Sequence, residues 1–156
     1  NTGTMGCMRK AKLAAVTWGG TADEIETQFY EALQTGDMAR LMACWADDDE
    51  IVCVHPGGAR LTGSSTIRAA FDAMFANGSL KVHAQRVRSI ESLASVVHSV
   101  IECIEFMGEQ GPATAYLIAT NVYHKTPQGW RMVVHHASPG TTQDLQELDA
   151  SAPVLH

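Results

Sequence analysis

Apolar residues recur every three or four positions through the first half of the chain, which is the period of a helix that buries one face. Thr21 followed by Glu24 is the pattern of an N-terminal capping box, and Gly36 is a typical helix end. We therefore predict a helix over residues 21–35, with polar side chains such as Gln28 on its outer faces. Its buried face is predicted to consist of Ile25, Phe29, Ala32 and Leu33.

The next forty residues are predicted to hold two more helices and one short strand. The first of these helices covers residues 37–46, where Trp45 serves as a core anchor. The second is capped near Ser64 or Ser65. Between them, residues 51–54 are apolar and β-rich, which indicates a strand.

After Gly78 the apolar period changes to two, which is the period of a strand. Four segments are rich in Val, Ile, Thr and aromatic residues, and short turns separate them as in antiparallel hairpins. They are residues 81–90, 93–107, 113–125 and 130–138. Helices followed by consecutive hairpins predict an α+β fold, in which a strongly curved antiparallel sheet wraps around the N-terminal helices and closes a cone.

The 156 residues are predicted to form one folded domain. A chain of this length buries about 70% of its unfolded surface around a single core. We expect a flexible leader over residues 1–20, the domain over residues 21–140 and a C-terminal arm over residues 141–156.

Charge and cysteine use narrow the classes of partner. The chain has 11 Lys and Arg against 17 Asp and Glu, a balance that argues against nucleic acid or an anionic membrane as partner. No apolar run reaches the length of about 18 residues that a membrane span needs. The four cysteines occur singly, without a CxxC pair, which predicts reduced core thiols in a cytoplasmic protein.

The segment from residue 36 to residue 68 carries a recognisable set of residues: Gly36, Asp37, Trp45, Ala46, Asp47, Asp48, Pro56, Gly63, Ile67 and Arg68. This set resembles the nuclear transport factor 2-like superfamily, which has a cystatin-like fold and includes a SnoaL-like branch. A second match resembles the association domain of calcium/calmodulin-dependent kinase II, a member of that superfamily. It consists of Thr120 to Tyr123, Gly129-Trp130 and His136-Ala137-Ser138. The resemblance covers about residues 21–140 and implies the cone-shaped fold predicted above.

His55 is the candidate catalytic residue, because it ends a strand immediately before Pro56. The resemblance to ketosteroid isomerase places it where that family carries its proton-shuttling base, and a histidine can abstract protons near neutral pH. The alternative is a side chain that only holds the following turn by a hydrogen bond. The family's tyrosine donor aligns with Phe29, which has no proton to give, although Tyr30 is adjacent. This departure argues against steroid isomerisation.

Five residues are expected to line the pocket that the resemblance implies. They are Phe29, Trp45, His98, Asn121 and His135. Two arginines that line the association domain's pocket fall at Asn121 and Ala137, which argues against a carboxylate ligand. His98 and Glu102 share one strand face and are interpreted as an exposed pair. The alternative is a hydrogen-bonded pair in which the two groups shift each other's pKa.

Strand parity decides which histidine of the last strand faces the pocket. If the parity of the association domain holds, Asn121 and His135 face the pocket. The residues then expected on the opposite face are Trp130, Met132, Val134 and His136. The alternative is that His136 is the lining residue. Because adjacent strand residues point to opposite faces, the histidine pair is not expected to bind a metal.

The resemblance leaves two functions open. One is a small SnoaL-like enzyme of the isomerase, cyclase or hydratase type, which transfers protons on an apolar carbonyl compound. The other is a non-catalytic ligand-binding or oligomerisation module like the kinase association domain. No cofactor is expected. Apolar residues on both faces of the last strands, such as Leu117 and Ile118, predict a homodimer through the outer face of the sheet.

Overall fold

The computed structural model describes residues 20–144, which include three complete helices and six strands. In chain order the elements are α1 (Ala22–Thr35), α2 (Met38–Ala43), β1 (Val52–Val54), β2 (Arg60–Thr62), α3 (Ser64–Phe75), β3 (Val82–Glu91), β4 (Ser95–Gly108), β5 (Gly111–Thr126) and β6 (Gly129–Pro139). The predicted α+β class, the helix order and the four long strands are confirmed. The short strand β2 was not predicted.

The six strands form one curved sheet in the order β2-β1-β6-β5-β4-β3. Strands β3 to β6 pair antiparallel with their chain neighbours, as predicted. β1 instead pairs parallel with β6, so the sheet is mixed. It is also open, with β2 and β3 as its edges. The predicted curved sheet around the N-terminal helices is confirmed, and only the parallel pairing of β1 departs from the antiparallel pattern. An apolar pattern indicates that a strand is buried, but it does not specify which neighbour the strand pairs with.

α1 lies against the inner face of this sheet. The Thr21 side chain caps it by accepting from the Glu24 N–H at 3.2 Å, and Gly36 ends it in the left-handed conformation at φ 68°. The predicted apolar face is buried. Gln28, predicted to be exposed, is buried as well. A curved sheet covers more than one face of the helix, so helical periodicity alone underestimates how much of α1 is buried.

The caps of the two shorter helices differ. Asp37 caps α2, because its side chain accepts from the Arg40 N–H at 3.1 Å. α3 begins after Gly63, which has a φ of 87° and provides no side-chain cap. The predicted serine cap at Ser64 or Ser65 was therefore wrong, because both serines already lie within the helix.

A bulge in β6 changes which of its residues face the core. Val122 pairs with Val134, but the next residue, Tyr123, pairs with Met132, so Val133 is an extra residue in the ladder. Met132 is consequently fully buried, and its predicted place on the outer face was wrong. His135 lies on the inner face, C-terminal to the bulge, where the predicted parity holds.

Several expectations fall partly or wholly outside the described residues. The leader is one of them, apart from its last residue, and so is the C-terminal arm beyond Asp144. Cys44, Cys53 and Cys103 are buried free thiols, as predicted for core cysteines. Within residues 20–144, no helix is both long enough and apolar enough to span a membrane.

Phe29 is the central packing residue of α1, and we expect Phe29→Ala to lower the free energy of unfolding by about 3 kcal/mol. The ring is fully buried, and it makes edge contacts with Trp45 and Phe71 at centroid distances of 6.4 and 6.2 Å. Urea unfolding measures the change. Phe106→Ala is the matched control: this ring is 48% exposed, so a loss of about 0.5 kcal/mol is expected. Equal losses for both variants would show that Phe29 is not a core residue.

Candidate functional site

The Glu26 carboxylate is buried between α1 and the inner face of the sheet. Its Oε2 atom accepts a hydrogen bond from the Tyr123 hydroxyl at 2.6 Å and from the Asn121 amide at 3.3 Å. The His98 Nδ1 lies 2.7 Å from the same oxygen. One acidic side chain of the helix is thus bound by donors from both β4 and β5.

His98 lies between two carboxylates. Its side chain is buried against Glu26, and its Nε2 lies 3.3 Å from an Asp23 carboxylate oxygen. Burial alone would lower the pKa of His98, but the hydrogen bond and charge of Glu26, with the charge of Asp23, outweigh it and raise the pKa. The buried contact between His98 and Glu26 therefore links α1 to β4.

A second buried carboxyl group, that of Glu102, lies further along the same face of β4. The Tyr30 hydroxyl donates to its Oε2 at 2.7 Å, and the Asn121 amide donates to the Tyr30 oxygen at 3.0 Å. Burial raises the pKa of Glu102 to about 7; the hydrogen bond from Tyr30 opposes this shift, and the charge of Glu26 adds to it. Near neutral pH this carboxyl group is therefore partly protonated.

His135 on β6 packs against both the aromatic core and the polar cluster. Its ring lies 5.1 Å from the Phe29 ring, and its Nδ1 lies 2.6 Å from the Asn121 carbonyl oxygen. Burial, with smaller contributions from the neighbouring His55 and His136, lowers the pKa of His135 to about 3. The imidazole is therefore neutral at physiological pH.

A cavity of about 180 Å³ lies beside this cluster. It is lined by Leu33, His55, Pro56, Phe71, Met74, Leu80, Val82, Glu102, Ile104, Leu117, His135 and Ala137. Nine of these twelve residues are apolar or proline, and the three titratable ones are Glu102, His55 and His135. An apolar cavity of about 150 Å³ can hold benzene, so this cavity suits a molecule of about one ring.

His55 enters the cavity from the end of β1. Its ring packs against Phe71 at a centroid distance of 5.0 Å and lies 6.4 Å from the ring of His135. The turn that follows is closed by the backbone, since the Gly58 N–H donates to the His55 carbonyl at 2.8 Å. Burial lowers the pKa of His55, so its imidazole is largely neutral at pH 7. Its ring lines the cavity, and its Nε2 lies 3.7 Å from the Cys53 thiol sulfur.

The cavity brings together two of the predicted site residues, His55 and His135. His136, on the opposite face of β6, is exposed. The other four expected lining residues lie outside the cavity's lining. Phe29 packs against His135, Trp45 packs against Phe29, Asn121 contacts Glu26 and His135, and His98 contacts Glu26. Phe29 and Asn121 therefore contact a lining residue without lining the cavity themselves.

Sequence reasoning did not single out Glu26, and it did not predict that Tyr30 and Glu102 are buried and hydrogen-bonded to each other. The interpretation of His98 and Glu102 as an exposed pair was wrong, because both are buried and each has a different partner on α1. One signal was present in the sequence. Glu102 interrupts an otherwise apolar run from Val100 to Ile104, which is where a buried carboxyl group is found.

The described residues contain no group of three or more His, Cys, Asp or Glu side chains that is arranged to hold a metal ion. The titratable side chains that line the cavity are Glu102, His55 and His135. Those side chains offer a carboxyl group with a pKa near 7 and two neutral imidazoles.

Comparison with known proteins links the fold to one family. A family model described as a SnoaL-like domain matches residues 23–142. A solved structure from Thiobacillus denitrificans, a candidate calcium/calmodulin-dependent protein kinase type II association domain, is similar at 35% identity and a TM-score of 0.72. The match covers 80% of this chain and 98% of that one. No match was found among curated proteins.

Two further solved structures are similar over most of the chain. A candidate dehydratase of the NTF2-like family from Streptomyces avermitilis is 27% identical, with a TM-score of 0.68, and the match covers 76% of this chain and 93% of that one. The CaMKII hub of S. rosetta is 21% identical, with a TM-score of 0.61 and coverage of 75% and 92%. The second of these likenesses concerns the fold alone.

Proposed function

The chain belongs to the SnoaL-like domain family, and we propose that it is a small enzyme that transfers protons on a neutral, apolar carbonyl compound. One observation carries the proposal. The Glu102 carboxyl group, with a pKa of about 7, and the neutral imidazole of His55 line the same apolar cavity. An acid and a base that both work near neutral pH are the two groups that proton transfer requires.

The roles follow from the protonation states. Glu102 in its protonated form donates a proton or a hydrogen bond to a substrate oxygen. His55 accepts a proton from the carbon next to the carbonyl group. The apolar walls strengthen both interactions, because they exclude water and lower the local dielectric constant. Isomerisation and dehydration both use such a pair, and the candidate dehydratase at 27% identity supports chemistry of this kind.

The cavity favours a substrate smaller than a steroid. Its volume of about 180 Å³ is below the range of roughly 300–1,000 Å³ that is common for sites of drug-sized ligands. Tyr30 donates to Glu102 and does not line the cavity, so it does not replace the tyrosine donor that Phe29 lacks. Glu102 takes the donor role in this proposal.

A second proposed function is self-association, which fits the 35% identity to a candidate association domain. The outer face of the sheet carries a row of valines: Val97 pairs with Val122, and Val122 pairs with Val134. All three side chains are partly accessible in the single chain. A second copy that packed on this row would bury apolar surface and stabilise a homodimer.

The proton-transfer proposal predicts that the protein accelerates deuterium exchange at the α-carbons of cyclohexanone in D₂O, measured by proton NMR. His55→Ala should lower the acceleration by about 10² to 10⁴, the usual contribution of a positioned base. His124→Ala, at an exposed histidine of β5, is the matched control and should exchange as the wild type does. The rate should fall above about pH 7 as Glu102 loses its proton, and in acid as His55 gains one.

Binding of cyclohexanone, followed by its NMR line width, separates catalysis from simple ligand binding. If the ketone binds and its exchange is no faster than in buffer, the enzyme proposal is wrong and a ligand-binding module is favoured. If the exchange rate of the Glu102→Gln variant still falls above pH 7, Glu102 is not the acid.

For self-association, Val122→Asp should convert a dimer into a monomer, because the aspartate would be desolvated in the middle of the valine row. Light scattering at micromolar concentration measures the mass. Gln110→Asp, in the exposed turn between β4 and β5, introduces the same charge away from the row and should leave a dimer. A wild-type protein with the mass of one chain would rule out this interface.

A further inference from the structure

The orientation of the Asn121 amide is fixed by its neighbours. Its Nδ2 lies 3.0 Å from the Tyr30 oxygen and 3.3 Å from Oε2 of Glu26. That carboxylate oxygen already accepts from the Tyr123 hydroxyl. The reversed amide would place two acceptor oxygens against each other, which costs free energy in a buried site. The carbonyl oxygen of Asn121 therefore faces His135.

The Asn121 orientation in turn decides which nitrogen of His135 carries the proton. A carbonyl oxygen can only accept, and Nδ1 of His135 lies 2.6 Å from it, so Nδ1 is protonated and donates. The ring is neutral, which leaves Nε2 as a bare acceptor. The nearest Glu102 oxygen is 4.0 Å from Nε2, beyond hydrogen-bond length. The cavity therefore presents an imidazole acceptor to whatever it binds.

The rest of the cavity wall limits the charge of the ligand. None of its lining residues is Lys or Arg, and Glu102 is its only carboxylic acid. An anionic ligand would meet a carboxyl group and no cation, while the apolar walls would remove its hydration. A neutral ligand with one hydroxyl group avoids both costs.

We propose that the cavity selects neutral molecules of about one ring in size whose hydroxyl group donates a hydrogen bond to Nε2 of His135. This inference rests on the proposed function in one respect: both take the cavity to be the substrate site. Combined with that function, it narrows the substrate to a hydroxy carbonyl compound or its enol. In such a compound, His135 orients the hydroxyl group while His55 and Glu102 move protons.

Phenol and toluene provide a test of the selectivity, because each has seven non-hydrogen atoms and only phenol donates. Isothermal titration or NMR titration should show phenol binding about tenfold more tightly than toluene, which leaves Nε2 without a partner. Benzoate, an anion, should not bind measurably. Toluene binding as tightly as phenol, measurable benzoate binding, or failure of all three to bind would each overturn the inference.

The proton position can be read directly from long-range ¹H–¹⁵N NMR spectra of the imidazole rings. In the wild-type protein the proton of His135 should be on Nδ1, and a proton on Nε2 would overturn the inference without any variant. Glu26→Gln should allow the Asn121 amide to reverse, which moves the proton of His135 from Nδ1 to Nε2. Glu24→Gln, at an exposed glutamate of α1, is the matched control and should leave the proton on Nδ1.

The two proposals fail separately in these experiments. Preferential binding of phenol without exchange of cyclohexanone protons would leave the inference standing and contradict the enzyme. Exchange of cyclohexanone protons together with equal binding of phenol and toluene would leave the enzyme proposal standing and contradict the inference about His135.

Discussion

A carboxylate inside an apolar core needs hydrogen-bond donors to replace the water that it has lost, and Glu26 finds them on the sheet. Tyr123 and Asn121 donate to it from β5, and the His98 ring contacts it from β4. These donors reach the Glu26 carboxylate only when α1 has one rotation about its own axis and one position along the strands. The apolar face of α1 holds the helix against the sheet, and Glu26 specifies how it lies there.

The same constraint shapes the chemistry of the cavity. Asn121 connects Glu26 to Tyr30 and to His135, so the charge on α1 determines which atoms face the ligand. Burial and the charge of Glu26 together raise the pKa of Glu102, while burial keeps His135 neutral. Two acids in one core thus take different roles: one is paired and structural, and the other holds a proton near pH 7. Neighbouring acids with such different roles are typical of sites that carry out proton transfer.

Local patterns in the sequence predicted the elements, and long-range contacts decided the rest. The capping pattern at Thr21, the glycine at residue 36 and the period of two after Gly78 act within a few residues, so α1 and the four long strands could be predicted. The parallel pairing of β1 and the bulge at Val133 depend on partners far away in the chain. His55 was found because proline ends its strand. Glu26 and Tyr30 were missed because helical periodicity assigns one buried face, whereas the curved sheet covers several.

The central claim is that Glu26 acts on His135 through Asn121, and a double-mutant cycle on the free energy of unfolding tests it most directly. The cycle compares the wild type, Glu26→Gln, His135→Phe and the double variant in urea. Because one amide links the two side chains, the account predicts a coupling energy of about 1 kcal/mol between them. If the two single effects add to within about 0.3 kcal/mol, the two residues act independently and the account is contradicted.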